Sequence, residues 1–153
     1  MWVGVAGAGA CLGLILCVGS CGTVDLGDNF VAPDPMVDED FFYCRIQPEV
    51  INATGCASGM GGESCHSSTS AMVLSAAAET DPAPACDGNT LLGVPPDSWQ
   101  QNLEAVRFSV RADPFSSPFY LRPIGMMSHP RIIFAEGSPE ADLIIEWLLM
   151  GGT

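Results

Sequence analysis

Basic residues are scarce in this sequence: Lys and Arg number 5 against 18 Asp and Glu, giving a formal net charge of −13. A chain this acidic repels polyanions, which excludes nucleic acid as a partner. The same charge suits docking to a basic protein surface and equally suits solubility. Several catalytic signatures are also missing, because the chain contains no G-x-S-x-G elbow, no phosphate-binding loop and no H-E-x-x-H zinc motif. The common hydrolase and nucleotide-binding classes are therefore not indicated.

Charge is missing altogether from the first part of the chain, where no charged side chain occurs before Asp25. Residues 3–18 read VGVAGAGACLGLILCV, an apolar run of the length found in the core of a signal peptide. The small residues Gly19 and Ser20 follow, and a signal peptidase requires small side chains beside its cleavage site. An uncleaved membrane helix is the alternative, although the run contains four glycines and is short for a bilayer span.

Residues 18–21, Val-Gly-Ser-Cys, resemble the lipobox of bacterial lipoproteins, in which the cysteine is acylated and becomes the new N-terminus. By this resemblance residues 1–20 are a lipoprotein signal peptide and Cys21 carries the lipid anchor. No basic residue precedes the apolar run, which departs from the usual signal peptide. Gly22 follows the cysteine and gives no signal for retention at the inner membrane. The resemblance thus implies an exported protein of the cell envelope, lipid-anchored at the outer membrane and facing the periplasm or the surface.

Residues 21–40 are acidic, contain prolines and lack a helical or strand period, which is typical of a linker. Residues 41–153 have the length of one small domain, and domains of this size often need a covalent or metal staple. An exported chain meets an oxidising compartment, so disulfides are expected. Three pairings are possible among the four cysteines of this span, and two structural bridges are the plainest expectation. These cysteines are Cys44, Cys56, Cys65 and Cys86.

The hydrophobic pattern predicts a mainly α, small helical domain with long loops and no convincing strands. The clearest helix has Ser138 as its cap, Pro139 in its first turn and glycines at 151 and 152 as its stop. A second helix is predicted to begin at Asp97, whose carboxylate would accept from the early amides while Gln100 reaches back. A third, short helix is expected at about residues 48–54. The predicted buried positions are Leu143, Ile144, Trp147 and Leu148 in the last helix and Trp99, Leu103 and Val106 in the second.

The chain has two histidines, His66 directly after Cys65 and His129 in a loop before the last helix. In c-type cytochromes a C-x-x-C-H segment bonds the haem vinyl groups through two thioethers, and its histidine ligates the iron. Here the corresponding run is CASGMGGESCH, in which eight residues separate Cys56 from Cys65. The glycine-rich insert would have to loop out to bring both sulfurs to one porphyrin edge, at a cost in ordering entropy.

Three segments in order resemble the small cytochrome c-like domains of exported bacterial proteins. Residues 46–56, IQPEVINATGC, resemble the helix that leads into the haem-attachment site. The segment ADPFSSPFYLRPIG resembles the D-P-x-x-S-x-x-Y-x-x-P loop of that family. Residues 128–152, SHPRIIFAEGSPEADLIIEWLLMGG, resemble its distal-ligand loop and closing W-I-x-x-G helix. The match covers about residues 44–152.

The resemblance implies covalent haem c, with Cys56 and Cys65 as the attachment thiols and His66 as the proximal iron ligand. His129 would be the distal ligand, with Met126 or Met127 as rivals. A second imidazole keeps the reduction potential lower, whereas a methionine sulfur raises it. The expected function is then electron transfer with a redox protein partner, so the protein would be a carrier and not an enzyme.

Two alternatives remain open from the sequence. In the first, a disulfide-stapled, cytochrome-like fold serves as a non-redox interaction or structural module of the envelope. Within the haem interpretation, attachment through Cys65 alone would leave Cys56 free to bridge Cys44 or Cys86. In the second, Cys and His ligate zinc, although their spacing matches no familiar finger pattern and disulfide formation competes for the thiols.

Overall fold

The computed structural model of the protein describes residues 36–59, 65–67 and 70–151, and all of them belong to one compact unit. The predicted signal peptide, the anchor at Cys21 and most of the predicted linker lie outside the described residues. Within the described ranges, no helix has both the length and the apolar character needed to cross a bilayer.

The first helical segment begins inside the predicted linker. Helix α1, Glu39–Phe41, continues directly into an eleven-residue π-helical segment, Phe42–Asn52. The Asp38 side chain caps α1 by accepting a hydrogen bond from the Phe41 amide at 2.9 Å. The buried face of the two segments carries Phe41, Phe42, Tyr43, Ile46, Gln47, Val50 and Ile51.

The prediction of a short helix at residues 48–54 is wrong in its boundaries, because Pro48 lies inside the π-helical segment. Proline lacks an amide hydrogen and its ring crowds the preceding turn, so it normally marks a helix start. Here the wider turn accommodates it, and the Pro48 carbonyl accepts from the Ala53 amide at 3.2 Å. Burial of the apolar face on both sides of Pro48 outweighs the local preference for a break.

A small hairpin follows a 3₁₀ turn at Ala76–Glu79. Strands β1, Ala85–Asp87, and β2, Thr90–Leu92, pair antiparallel with Asp87 opposite Thr90. The two-residue turn between them begins with Gly88, which has φ +59°. The sequence prediction missed these strands because three residues are too few to show an alternating pattern. A Gly-Asn pair at 88–89 is the local signal that could have revealed the hairpin.

A disulfide joins Cys44 of the π-helical segment to Cys86 of β1, with Cα atoms 5.9 Å apart. The expectation of a staple is therefore confirmed for one bridge. Cys56 and Cys65 are free thiols, so the expectation of a second bridge is wrong. Cys44 and Cys86 partner each other, which also removes them as bridging partners for Cys56.

Helix α2 spans Asp97–Arg107 and begins at the predicted residue. The predicted cap is wrong, because Pro96 occupies the N-cap position and no side chain caps the helix. Gln100 does reach back, donating to the Pro95 carbonyl at 2.9 Å. Of the residues expected in the core, all three are buried: Trp99, Leu103 and Val106.

The last part of the chain holds a 3₁₀ turn at Pro114–Ser116 and helices α3, Pro118–Leu121, and α4, Pro139–Met150. The predicted cap of α4 is confirmed, since the Ser138 hydroxyl accepts from the Ala141 amide at 3.3 Å. Of its predicted stripe, Leu143 is only partly buried. The fully buried members are Ile144, Trp147 and Leu148.

Trp147 of α4 connects the two ends of the described fold. Its ring contacts Phe42 at a centroid distance of 5.4 Å and Phe119 at 5.9 Å. Its indole nitrogen donates to the Asp38 carbonyl at 2.8 Å. The described ranges thus combine helices, long loops and one small sheet around a single core.

A buried amide network joins the π-helical segment to α2. Asn102 is fully buried, and it donates to the Gln47 side chain at 3.2 Å while accepting from the Ser75 amide at 2.6 Å. Gln47 in turn donates to Asn52 at 2.7 Å, and Asn52 donates to the Ala78 carbonyl at 2.9 Å. Each partner replaces water that the core excludes, so the network fixes how these segments pack.

Replacing Asn102 with alanine should lower the free energy of unfolding by about 2–4 kcal/mol, because it leaves two buried polar groups without partners. Gln101, the neighbouring exposed amide on the same helix, provides the matched control, and Gln101→Ala should cost less than about 0.5 kcal/mol. Urea unfolding followed by tryptophan fluorescence measures both. Similar losses in the two variants would contradict a structural role for the network.

Titration of Tyr43 is expected to lower the stability of the fold at alkaline pH. Burial, with added repulsion from Glu39, raises the pKa of its phenol to about 12, whereas an unfolded tyrosine titrates near about 10. Between these values the unfolded chain loses the proton first, so stability should fall as the pH rises, by at most about 2–3 kcal/mol. Urea unfolding at several pH values above 9 tests this, and Tyr43→Phe should flatten the decline. If the stability of Tyr43→Phe falls with pH as steeply as that of the unmodified protein, the decline comes from other groups, such as Tyr120, whose pKa burial also raises.

Candidate functional site

An apolar cleft lies between the π-helical segment, α3, α4 and the loop that follows α3. Its cavity volume is about 50 Å³, smaller than the range of about 300–1,000 Å³ typical of small-molecule and cofactor sites, so a bound macrocycle would require the walls to separate. Its apolar walls are Val50, Met72, Pro118, Phe119, Pro123, Ile133, Phe134 and Ile144. Its chemically active lining residues are Cys56, Cys65, His66, Arg122, His129 and Arg131.

Backbone hydrogen bonds hold together the described residues that flank the insert between the two cleft cysteines. The His66 amide donates to the Cys56 carbonyl at 3.1 Å, so the two ends of the insert are held together by backbone. The Leu74 amide then donates to the His66 carbonyl at 2.8 Å, which fixes the chain on the far side of the histidine. On the near side, the Glu79 carboxylate accepts from the amides of Ala57 and Ser58 at 3.2 and 3.0 Å. These hydrogen bonds fix the described residues on either side of the insert.

Hydrogen bonds fix the protonation of the His66 ring. Its Nδ1 lies 2.8 Å from the Ser70 hydroxyl and 3.1 Å from the Met72 carbonyl. The Ser70 hydroxyl donates its own hydrogen to that same carbonyl, and a carbonyl only accepts, so Nδ1 must carry the ring proton. The lone pair of the neutral ring is then on Nε2, the nitrogen available to a metal.

The His129 ring is held in the same tautomer. Its Nδ1 lies 2.5 Å from the Arg131 carbonyl, which again can only accept. The loop that carries it is closed at its base by the Ile133 amide, which donates to the Pro123 carbonyl at 2.8 Å. Gly125, at φ +81°, makes the turn after α3 that this closure requires.

The two imidazoles are near-parallel, with centroids 6.0 Å apart and planes 20° from each other. Two imidazoles that bind one metal ion from opposite sides, each at about 2.0–2.1 Å, have centroids roughly 6 Å apart. That spacing also occurs in ordinary offset ring contacts. The two rings are stacked, and in both the Nδ1–H is given to a backbone carbonyl, an arrangement that ligating histidines also have.

The electrostatics of the cleft keep His66 neutral. Burial lowers the pKa of His66, and repulsion from His129 and Arg122 lowers it further, against the opposing effect of the hydrogen bond to Met72. A neutral imidazole is the form that binds iron or other metals. The ring is thus ready to ligate at neutral pH.

The two free thiols lie at the same cleft. Cys56 is hydrogen-bonded to the Thr54 hydroxyl at 3.0 Å. That hydroxyl donates to the Val50 carbonyl at 2.6 Å, so the thiol is the donor to Thr54. Burial raises the pKa of the Cys56 thiol, which keeps it protonated at neutral pH. Cys65 also lines the cleft, and its sulfur lies 3.8 Å from an Arg131 guanidinium nitrogen.

The predicted rival ligands Met126 and Met127 are exposed at 65 % and 38 % and do not line the cleft. Met72 does line it, and its sulfur lies 3.4 Å from the Ser109 hydroxyl, which donates its hydrogen to the Val106 carbonyl at 2.8 Å. Of the candidate distal ligands from the sequence, only His129 is brought to the cleft with His66. Met72 was missed because a single methionine in an irregular segment carries no signal.

The zinc alternative finds no support in residues 36–59, 65–67 and 70–151, which contain no group of three or more His, Cys, Asp or Glu placed to hold a metal ion. Structural zinc requires four protein ligands.

Comparison of the chain with protein-family models, curated proteins and solved structures finds no match. A functional proposal for this protein therefore depends on the residues of the cleft and on the sequence resemblance.

Proposed function

We propose that the protein binds haem covalently in this cleft and transfers electrons, as a lipid-anchored carrier of the cell envelope with a cytochrome c-like domain. One observation supports this most strongly: two near-parallel imidazoles 6.0 Å apart in one apolar cleft, each with its Nδ1–H given to a backbone carbonyl. His66 and His129 would hold the haem iron through their Nε2 atoms, and the iron would supply the one-electron chemistry.

Covalent attachment would use the two free thiols of the same cleft. Cys65 directly precedes His66, as the second cysteine of a C-x-x-C-H motif does. Backbone closure between Cys56 and His66 keeps the first cysteine at the same end of the cleft despite the insert. A thioether would form by addition of S–H across a vinyl double bond, which needs no oxidant, and both thiols are free for it.

The apolar walls would exclude water from the porphyrin, and the open side would leave an edge from which electrons pass. Two axial imidazoles keep the reduction potential lower than an imidazole and a methionine would. The partner would be a redox protein, and no substrate bond is made or broken, so the proposed role is that of a carrier and not of an enzyme. The lipid at Cys21 would restrict this exchange to neighbours at the membrane surface.

The test is an absorbance spectrum of the protein expressed with a cytochrome c maturation system, recorded oxidised and reduced. We expect a Soret band that stays with the polypeptide after denaturation. The α-band of the pyridine haemochrome then reports whether one or two thioethers formed. A colourless protein would exclude the carrier and favour the second candidate, a disulfide-stapled envelope module, for which the Cys44–Cys86 bridge is the supporting observation.

A further inference from the structure

A second, polar groove lies between the first helical turns of the described fold and α2. Its volume is about 560 Å³, within the range of about 300–1,000 Å³ typical of small-molecule sites. Its described lining residues are Glu39, Tyr43, Asp97, Gln100, Gln101, Leu103 and Glu104. None of them lines the apolar cleft, so a ligand of this groove would not depend on haem.

Negative charge predominates in the groove. Arg107 joins its two walls, pairing with Glu104 of α2 at 3.0 Å and also with Glu39 of α1. One guanidinium thus serves two carboxylates. The third carboxylate, that of Asp97, forms no ion pair with any residue that the structure describes. The groove therefore has an excess of negative charge that a cation could compensate.

Tyr43 contributes an unpartnered phenol to the wall of the groove. This residue is only 5 % exposed, and its oxygen has no hydrogen-bond partner in residues 36–59, 65–67 and 70–151. A buried phenol usually has such a partner. The oxygen is not sealed from solvent, because the described side-chain atom that is both sealed and unpartnered is Nε of Arg107. A ligand in the groove would supply the partner that the phenol lacks.

The phenol and the carboxylates belong to one site. Tyr43 follows Glu39 by four residues, about one helical turn. Repulsion from Glu39 and Glu104 adds to the burial that raises the pKa of Tyr43 to about 12, and attraction to Arg107 opposes it. These interactions require the phenol to lie near the ion-paired cluster of Glu39, Arg107 and Glu104.

The other wall of the groove is one face of α2. Asp97, Gln100, Gln101 and Glu104 follow at helical spacing, so they share that face. At about 1.5 Å of rise per residue, the first and last of them are roughly 10 Å apart along the axis. Leu103 is the apolar lining residue between them. This wall thus presents a carboxylate at each end, with amides and an apolar side chain in the middle.

We propose that the groove binds an aliphatic diamine. An ammonium group has three hydrogen-bond donors and no acceptor. One end of the ligand would donate to the Tyr43 oxygen and to Glu104, and the other end would donate to Asp97. The methylene chain would lie over Leu103. The exposed carboxylates contribute modestly and are screened by salt, so the sheltered phenol should determine specificity.

The experiment is calorimetry of the full-length protein with 1,5-diaminopentane at low salt. We expect pentylamine, which has a single charge, to bind about fivefold more weakly, and Asp97→Asn to weaken binding of the diamine by a similar factor. Tyr43→Phe should weaken it at least about tenfold, the contribution of one hydrogen bond to a charged group. Glu146→Gln is the matched control, since Glu146 is an exposed carboxylate on α4 that does not line the groove; it should bind the diamine as the unmodified protein does.

No binding of the diamine by the unmodified protein would overturn the proposal. Equal losses in Asp97→Asn and Glu146→Gln would also overturn it, because they would show attraction to the net charge alone. Undiminished binding by Tyr43→Phe would do the same. Urea unfolding at neutral pH checks that this variant is folded, which we expect because the phenol has no partner to lose. None of these outcomes bears on haem binding, since the two sites share no described lining residue.

Discussion

Replacing His66 by alanine is expected to abolish the low-spin haem spectrum of the matured protein and to reduce its haem content at least about tenfold, since even supporting residues of metal sites contribute 10–100-fold. His129→Ala should leave haem attached through the thioethers but convert it to a high-spin form, because one axial position loses its imidazole. Absorbance and electron paramagnetic resonance spectra distinguish these states.

The control variants are Met126→Leu and Met127→Leu, whose side chains lie outside the cleft and should leave the spectrum unchanged. His129→Met provides a further check, since a thioether ligand should raise the midpoint potential. A low-spin spectrum that survives His129→Ala and disappears with Met127→Leu would show that the methionine, and not the histidine, is the distal ligand.

Cys44→Ser should cost the fold about 4 kcal/mol, because the bridge to Cys86 spans 42 residues of sequence and restricts the unfolded chain accordingly. For a domain of this size the midpoint of thermal unfolding should fall on the order of 10–20 °C. The loss of stability should be the same in haem-free and in haem-containing protein, since neither cysteine lines the cleft. Urea and thermal unfolding measure it directly.

Cys65→Ser is the matched control for the bridge. This residue is a free thiol at the cleft, so its replacement should change the stability of haem-free protein by less than about 1 kcal/mol while removing one thioether from the matured form. The two cysteine variants therefore separate a structural role from an attachment role. A large loss of stability in haem-free Cys65→Ser would contradict that division.

Local signals in the sequence predicted some elements well. The cap at Ser138 and Pro139 in the first turn located α4, because these preferences depend on backbone chemistry within one turn. The spacing of Trp99, Leu103 and Val106 predicted the buried face of α2 for the same reason. Prediction failed at Pro48, where local chemistry predicts a helix start and the packed core continues the helix through it.

The candidate site was likewise predictable from the sequence only in part. Residue type alone made His66, His129 and the four cysteines candidates, since few other side chains ligate metals or form thioethers. The spacing of the cysteines along the sequence could not predict which of them pair. The bridge from Cys44 to Cys86 depends on where the hairpin lies against the π-helical segment. It also could not choose His129 over the nearby methionines, since all of them belong to one loop.

The sequence by itself determined the acidic charge, the helical periods and the set of reactive side chains, because each of these is a property of single residues or of one turn. Only the tertiary structure decided that Cys56 and Cys65 stay free and that both imidazoles are fixed in the same tautomer at one cleft. Those properties depend on backbone carbonyls and side chains brought together from distant parts of the chain, and no local pattern of residues encodes such proximity.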